Sequence, residues 1–400
     1  MGGTPVPFHD LSFVPEGEDV VVGRLDTGAY AVLPADGAAL LRRMTEGHSP
    51  TAAADWYEAE FGEAVDVDDF LEAMRELGFV REGDEAVVTR PVRFGWLGRA
   101  VFSPLAWLLY AGVTVAWLVV GAEHADVVPD PGQFFFTGST LVVQLVITFG
   151  QLPLIFLHEG YHTLAGRRLG LPSKLGMSNR YLYVVFETSM NGLFSVPAAK
   201  RYLPFLSGMA IDVVVLAALG LLAHVTRAAG GGLSWFGAMC VALGFTVVMR
   251  LVWQFQLYLR TDLYYVFATA LRCHDLHDAS VGLLRNRLWR LLDRPDRLVD
   301  EDRWTEHDRR AGRWYGPFVV LGVAVMLALT AFGSLPVVVA YVEIIARNLT
   351  GGRHDLYFWD AVVSLAINVG QLALVAHLAR RKRRTRATAS PAPIPEGERV

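Results

Sequence analysis

The rhythm of apolar positions changes about a quarter of the way along the chain. Up to residue 90 the apolar residues come in short groups broken by charge. From Ala100 onward they form uninterrupted stretches. Ala100–Ala122 and Phe134–Leu157 hold no charged side chain, and each can cross a hydrocarbon layer of about 30 Å. A third stretch, about Tyr202 to His224, is interrupted only by Asp212. A fourth begins near Gly231 and runs through Arg250 to about Leu259. A fifth stays uncharged from Trp314 to Val342, longer than one crossing needs, with a bend or exit expected at Pro336. A sixth covers about Leu356 to Ala379. The pattern predicts an α-helical polytopic membrane protein with six spans.

Residues 1–90 predict a small soluble domain. Val20–Val22 and Tyr30–Leu33 read as two strands joined by a turn at Asp26-Thr27-Gly28. Asp36 can cap a helix over Ala38–Thr45, which Gly47 ends. Ser49-Pro50-Thr51 starts a second helix and Gly62 stops it. Asp66 opens a third, in which Phe70, Leu71, Met74 and Leu77 share a face before Gly78. Two strands and three helices make a winged-helix-like α+β unit. Residues 91–380 form the membrane domain, with a charged segment over 260–313, and 381–400 read as a basic, disordered tail.

Composition sharpens this picture. Only 19% of the residues are charged and 53% are hydrophobic, against about a quarter charged in a soluble domain, which excludes a fully soluble protein. The net charge of −4 gives no basis for nucleic-acid binding. Cys240 and Cys273 cannot make a disulfide framework, and the first residues have neither the basic nor the apolar region of a signal peptide. Counting six spans, every basic cluster falls on one side: Arg90, Arg93 and Arg99, then Arg167, Arg168, Lys174, Lys200 and Arg201, then the 260–313 segment, then Arg380 to Arg384. By the positive-inside rule both termini are cytoplasmic.

The stretch after Leu157 reads His158-Glu159-Gly160-Tyr161-His162. Residues four apart share a helix face, so His158 and His162 can offer two imidazoles to one ion, and Glu159 beside them can take a proton from water. Zn2+ is the expected ion, since neutral imidazole suits it. The alternative is a capping cluster at the membrane interface. A third ligand is needed, and Asp262 is the best placed if spans two and four both end at the same leaflet. Its alternative is an ion pair with Arg260 or Arg250. Asp212, about 16 Å deeper than Arg201 at 1.5 Å per residue, is the second acidic candidate. At that depth it reaches the metal only if HExxH also lies deep; otherwise it is expected to orient a ligand or substrate backbone or to pair between helices. Cys273-His274-Asp275-Leu276-His277-Asp278 has ligand chemistry but reads as a solvated or structural run. Tyr181–Thr188, containing Glu187, is β-prone and predicts a strand or hairpin near the metal, whose edge could hold an extended substrate, or else a packed re-entrant loop.

Two resemblances follow from these residues. The order "GRLDTGAYAVLPADGAALLRRMTEGHSPTAAADWYEAEFG…VDDFLEAMRELGFV" over about residues 8–82 resembles the PqqD-like peptide-recognition domains. That implies a leader peptide of a ribosomally made, modified peptide adding to the Tyr30–Leu33 edge, the alternative being a module for dimerisation or packing. HEGYH with a later aspartate, over about 135–270, resembles the site-2 protease family of intramembrane zinc metalloproteases. This implies that His158, His162 and Asp262 bind Zn2+ and Glu159 is the general base. Glu187 and Asp212 stand as candidates to support a ligand or to contact substrate. "FLSGMAID" takes the place of that family's small-residue segment. The chain departs from the family at Leu263, where a glycine is usual, and it shows no PDZ insert. The combination is similar to a bacterial group of peptide zinc metalloproteases, which implies a multi-pass protein of the inner (plasma) membrane acting on a peptide or membrane-protein substrate. The competing expectation is a non-catalytic membrane scaffold that binds a modified peptide for export or immunity.

Overall fold

The computed structural model describes residues 4–388 except 25–26, 28, 82–91, 181–182, 191, 274 and 352–354. Asp26 and Gly28 of the expected turn, Arg90, His274 and the last dozen residues lie outside the described residues.

The N-terminal domain has three strands where two were expected. β1 (Leu11–Glu16), β2 (Asp19–Arg24) and β3 (Tyr30–Pro34) form an antiparallel sheet in that order. β1 contains Pro15, opposite Val20. Proline lacks an N–H and is tolerated in an edge strand, which is where β1 lies. Gly17, at φ 73°, makes the tight turn into β2. Three helices follow: α1 (Ala35–Thr45), α2 (Pro50–Phe61) and α3 (Val67–Glu76). Ser49 caps α2 and Asp66 caps α3 through their side chains, as their residue types suggest. Asp36 does not cap α1, because the helix starts one residue before it, after Pro34. It lies in the first turn, where a carboxylate also suits the helix dipole. Leu40, Leu41, Met44, Leu71, Met74 and Phe79 are buried together under the sheet residue Val22.

Asp36 also accepts a hydrogen bond of 2.5 Å from the Tyr57 hydroxyl, tying α1 to α2. That bond holds the Asp36 carboxyl below its ordinary range and pushes the Tyr57 hydroxyl up to about 12. A lowered carboxyl pKa gives stability that is present above the unfolded value and is lost as pH falls through the folded one. A raised phenol pKa gives stability present below its unfolded value, about 10, and lost as pH rises through about 12. Tyr57→Phe is therefore expected to lower the thermal stability of this domain at pH 7 and to flatten its loss in strong acid and strong base. Hydrogen exchange of the α1 and α2 amides in the full chain across pH checks this. An unchanged pH profile counts against it.

The rest of the chain is a helical membrane domain. After α4 (Gly95–Val101) come α5 (Pro104–Glu123), α6 (Thr140–Arg168), the antiparallel hairpin β4 (Ser173–Arg180) and β5 (Tyr183–Met190), then α7 (Ala198–Val225), α8 (Trp235–Trp253), α9 (Asp262–Ala270), α10 (Leu276–Leu291), α11 (Glu306–Leu329), α12 (Leu335–Thr350) and α13 (Leu356–Thr388). Among the described residues six helical stretches are long and apolar enough to cross a membrane: α5, α6, α7, α8, the α11–α12 pair and the start of α13.

Three limits differ from those the apolar pattern predicts, and the fifth stretch departs from α-helical geometry near Pro336, the expected site of a bend. α6 does not end at Leu157 but continues to Arg168, so HExxH lies about 15 Å inside the helix end. α8 stops at Trp253, and a short 3-10 turn at Leu257–Leu259 leads into the separate helix α9. The fifth stretch passes through a π-helical segment, Thr330–Ser334, that ends two residues before Pro336. The wider turn accommodates the proline ring that would otherwise strike the preceding carbonyl. α13 carries the helix on through 381–388, residues expected to be disordered.

The two domains meet at the start of α7. Arg201 is 1% exposed and donates to the carbonyls of Val196 and Phe194 at 2.8 and 2.7 Å, and to Glu16 of β1 at 2.9 Å. Tyr30 of β3 packs its ring on Phe194, with centroids 5.2 Å apart. A buried guanidinium needs this full set of acceptors to offset its lost hydration. Arg201 thus ties the soluble sheet to the helix that lines the site described next.

Candidate metal centre

His158 and His162 lie one turn apart on the buried face of α6. Their Nε2 atoms are 3.2 Å apart. Asp262 brings Oδ2 to 3.4 Å from His158 Nε2 and 3.2 Å from His162 Nε2. Asp262 reaches this point because the chain breaks after α8. Arg260 takes a left-handed conformation at φ 55°, Thr261 donates its hydroxyl to the Gln254 carbonyl at 2.7 Å, and Asp262 opens α9 with its N–H on Gln254 Oε1 at 3.1 Å. The left-handed turn falls at Arg260, and Leu263 is helical. No glycine is needed after Asp262.

The outer nitrogens of the two imidazoles decide the chemistry. His162 Nδ1 lies 2.7 Å from the Pro204 carbonyl, which can only accept, so that nitrogen carries the proton. His158 Nδ1 lies 2.8 Å from Asp212 Oδ2 and donates to it. Arg250 of α8 grips the same carboxylate with two bonds, Nε to Oδ2 at 2.8 Å and Nη2 to Oδ1 at 2.5 Å. In their neutral forms the two imidazoles then present Nε2 lone pairs to each other and to the Asp262 carboxylate. Three acceptors converging with no donor between them is an arrangement that a cation relieves. Their separations of 3.2–3.4 Å match the edge of a tetrahedron with bonds near 2.0 Å, about 3.3 Å. The residues fit a zinc-like ion.

Asp212 stands closer to the histidines than its depth alone suggests, in contact with one imidazole and one guanidinium. It is fully buried and touches the first imidazole. It lies eleven residues along α7 from Arg201, and the histidines lie equally deep because α6 runs on past them. Its partners are His158 and Arg250. Arg250 is thus taken by Asp212, and Arg260 by Asp278 at 2.5 Å, which leaves Asp262 to the histidines.

Glu159 is buried beside the pair. The hydroxyl of Thr188, on β5, lies 2.9 Å from its Oε2 and 3.0 Å from its backbone carbonyl. Thr188 carries no motif of its own in the sequence. The one signal for it was its place at the end of the β-prone stretch. That stretch is half of a hairpin whose other strand, β4, reads SKLGMSNR and carries little β propensity. Glu187 lies in β5 opposite Gly176. In the Cys273–Asp278 run, Cys273 is buried and its thiol is pushed up to about 12 by burial, while Asp278 pairs with Arg260. Those roles are structural. Both cysteines are free.

Gly208 of α7 closes one side of the centre. A Cβ there would stand 2.6 Å from His158 Nε2 and closer still to His162 Nε2. Gly208→Ala is expected to cut metal affinity about tenfold or more by displacing the imidazoles, with little change elsewhere. Metal content and thermal melting of the purified variant, read together, test this, and wild-type metal content would refute it.

No family model matches this chain, and neither a curated protein nor a solved structure matches it.

Proposed function

We propose that the chain is an intramembrane zinc metalloendopeptidase of the site-2 protease type. The observation that carries the reading is the convergence of His158, His162 and Asp262 beside the buried carboxylate of Glu159, within a bundle of membrane helices. His158, His162 and Asp262 would hold the ion, leaving a position open, as a catalytic zinc site requires. When bound, zinc supplies Lewis acidity, lowering the pKa of water towards 7 and polarising a carbonyl.

The protein groups do the rest. Glu159 takes the proton from the attacking water and returns it to the departing amine nitrogen, the two transfers that peptide hydrolysis needs. Thr188 orients the Glu159 carboxylate by donating to it, and Asp212 keeps the His158 ring turned so that Nε2 faces the centre. A structural zinc site has no use for an adjacent glutamate, and this favours hydrolysis over a scaffold.

β3 lies at the edge of its sheet, with Val32 exposed. That supports an extended leader peptide adding there as a fourth strand, linked to a ribosomally made, modified peptide. The location that fits is a bacterial inner membrane with both termini cytoplasmic.

The test is proteolysis by the purified full chain in lipid, with a precursor peptide or single-span membrane protein as substrate. Cleavage that a chelator abolishes and added Zn2+ restores supports the reading. A zinc-loaded protein that cleaves none of a broad substrate panel overturns it.

A further inference from the structure

Away from the metal centre, a cavity of about 280 Å³ opens between α10 and α11. Arg287 and Arg290 of α10, Arg313 of α11 and Glu301 of the intervening loop line it. Three guanidinium groups therefore face one carboxylate. Glu301 is engaged by Arg290 at 2.8 Å and by the Asn286 amide at 2.9 Å. That amide bond, with the Arg290 and Arg313 charges, holds its carboxyl below the ordinary range. Among the described residues, neither Arg287 nor Arg313 has an ion-pair partner. The cavity carries a surplus of two positive charges and an opening to match.

Its depth is set by α11. Arg313 is the last charged residue before the uncharged run that starts at Trp314, and Trp314 is 79% exposed. A bare tryptophan at the start of a span marks the level of the lipid headgroups. The end of α10, which carries Arg287 and Arg290 into the lining, exposes Leu288, Leu291 and Leu292, Leu291 by 84%. Water covers such a patch poorly, whereas acyl chains cover it well. Gly312 and Gly316 let the two helices approach: a Cβ at Gly312 would stand 3.1 Å from the Ser280 backbone nitrogen.

We infer that this cavity binds the phosphodiester headgroup of an anionic membrane lipid, with Arg287 and Arg313 on the phosphate and the α10 leucines against the acyl chains. The excess arginine explains the phosphate, and the exposed leucines beside it select a lipid over free phosphate. The site is independent of the metal centre and of the proposed proteolysis.

The experiment is native mass spectrometry of the purified full chain in a zwitterionic detergent, titrated with phosphatidylglycerol, phosphatidylcholine or inorganic phosphate. The wild type is expected to bind phosphatidylglycerol selectively. R287Q/R313Q should weaken that binding about 30-fold, since each guanidinium at an anionic surface is worth about fivefold. R285Q/R294Q, which removes equal charge outside the cavity lining, should stay within about twofold of the wild type. If the glutamine pair fails to fold, R287K/R313K and the wild-type lipid selectivity still decide the matter: lysine keeps the charge and retains most of the binding. Equal binding of phosphatidylcholine, an equal loss in the control pair, or wild-type affinity in R287Q/R313Q would each overturn the proposal. Displacement of the lipid by millimolar phosphate would assign the site to the free anion instead.

Discussion

Glu159→Gln is expected to leave the metal content unchanged and to lower peptide cleavage by about 100-fold or more. Glutamine matches glutamate in size and can still meet the Thr188 hydroxyl, so the packing around β5 survives. What it loses is the ability to take a proton from water. None of the three convergent donors is touched, because Glu159 is not among them. The expected outcome is therefore a split: elemental analysis reads wild-type metal while turnover collapses. Thr188→Val should give a smaller loss of turnover with the same metal content, because it frees the carboxylate without removing it. Parallel loss of metal and activity in Glu159→Gln would make the glutamate a ligand and would sink its role as base.

The second large effect separates two aspartates. Asp262→Ala removes one of three donors and is expected to weaken metal binding by well over about 100-fold. Asp212→Asn leaves all three donors but changes the acceptor on His158 Nδ1. Loss of such a supporting carboxylate weakens metal affinity about 10–100-fold. It also leaves the half-buried Arg250 guanidinium against a neutral amide, so thermal stability should fall as well. Asp212→Asn combined with Arg250→Gln should recover part of that stability but not the metal affinity, which distinguishes pairing from ligand orientation. Competition with a zinc chelator of known affinity reads the metal arm, and melting reads the other. Retention of full metal by Asp262→Ala would end the three-ligand assignment. Unchanged affinity in Asp212→Asn would reduce Asp212 to an ion pair between α7 and α8.

The spans and the His158–His162 pair were legible along the chain because each depends only on local periodicity. Twenty uncharged residues cross a bilayer whatever they pack against, and i and i+4 share a helix face in any context. Ser49 and Asp66 announce their helices for the same reason, since a cap reaches only two or three residues. Depth was not legible. Hydropathy places the end of span two where charge begins, at His158, whereas the helix runs on to Arg168, and that extension brings His158 level with Asp212. The break after Trp253 was likewise hidden, because the apolar run continues through it while the backbone turns at Arg260. β1 and β4 escaped because their strand character comes from pairing with β2 and β5, and Pro15 and the polar SKLGMSNR carry no such signal alone. The amino-acid sequence by itself determined a six-span membrane protein with a small α+β domain and two metal-suited imidazoles. Only the tertiary structure decided that Asp262 meets those imidazoles, that Asp212 and Arg250 stand behind them and that Thr188 holds Glu159. Each of these contacts joins separate elements, and its existence depends on helix ends, tilts and strand pairing that local residue patterns do not encode.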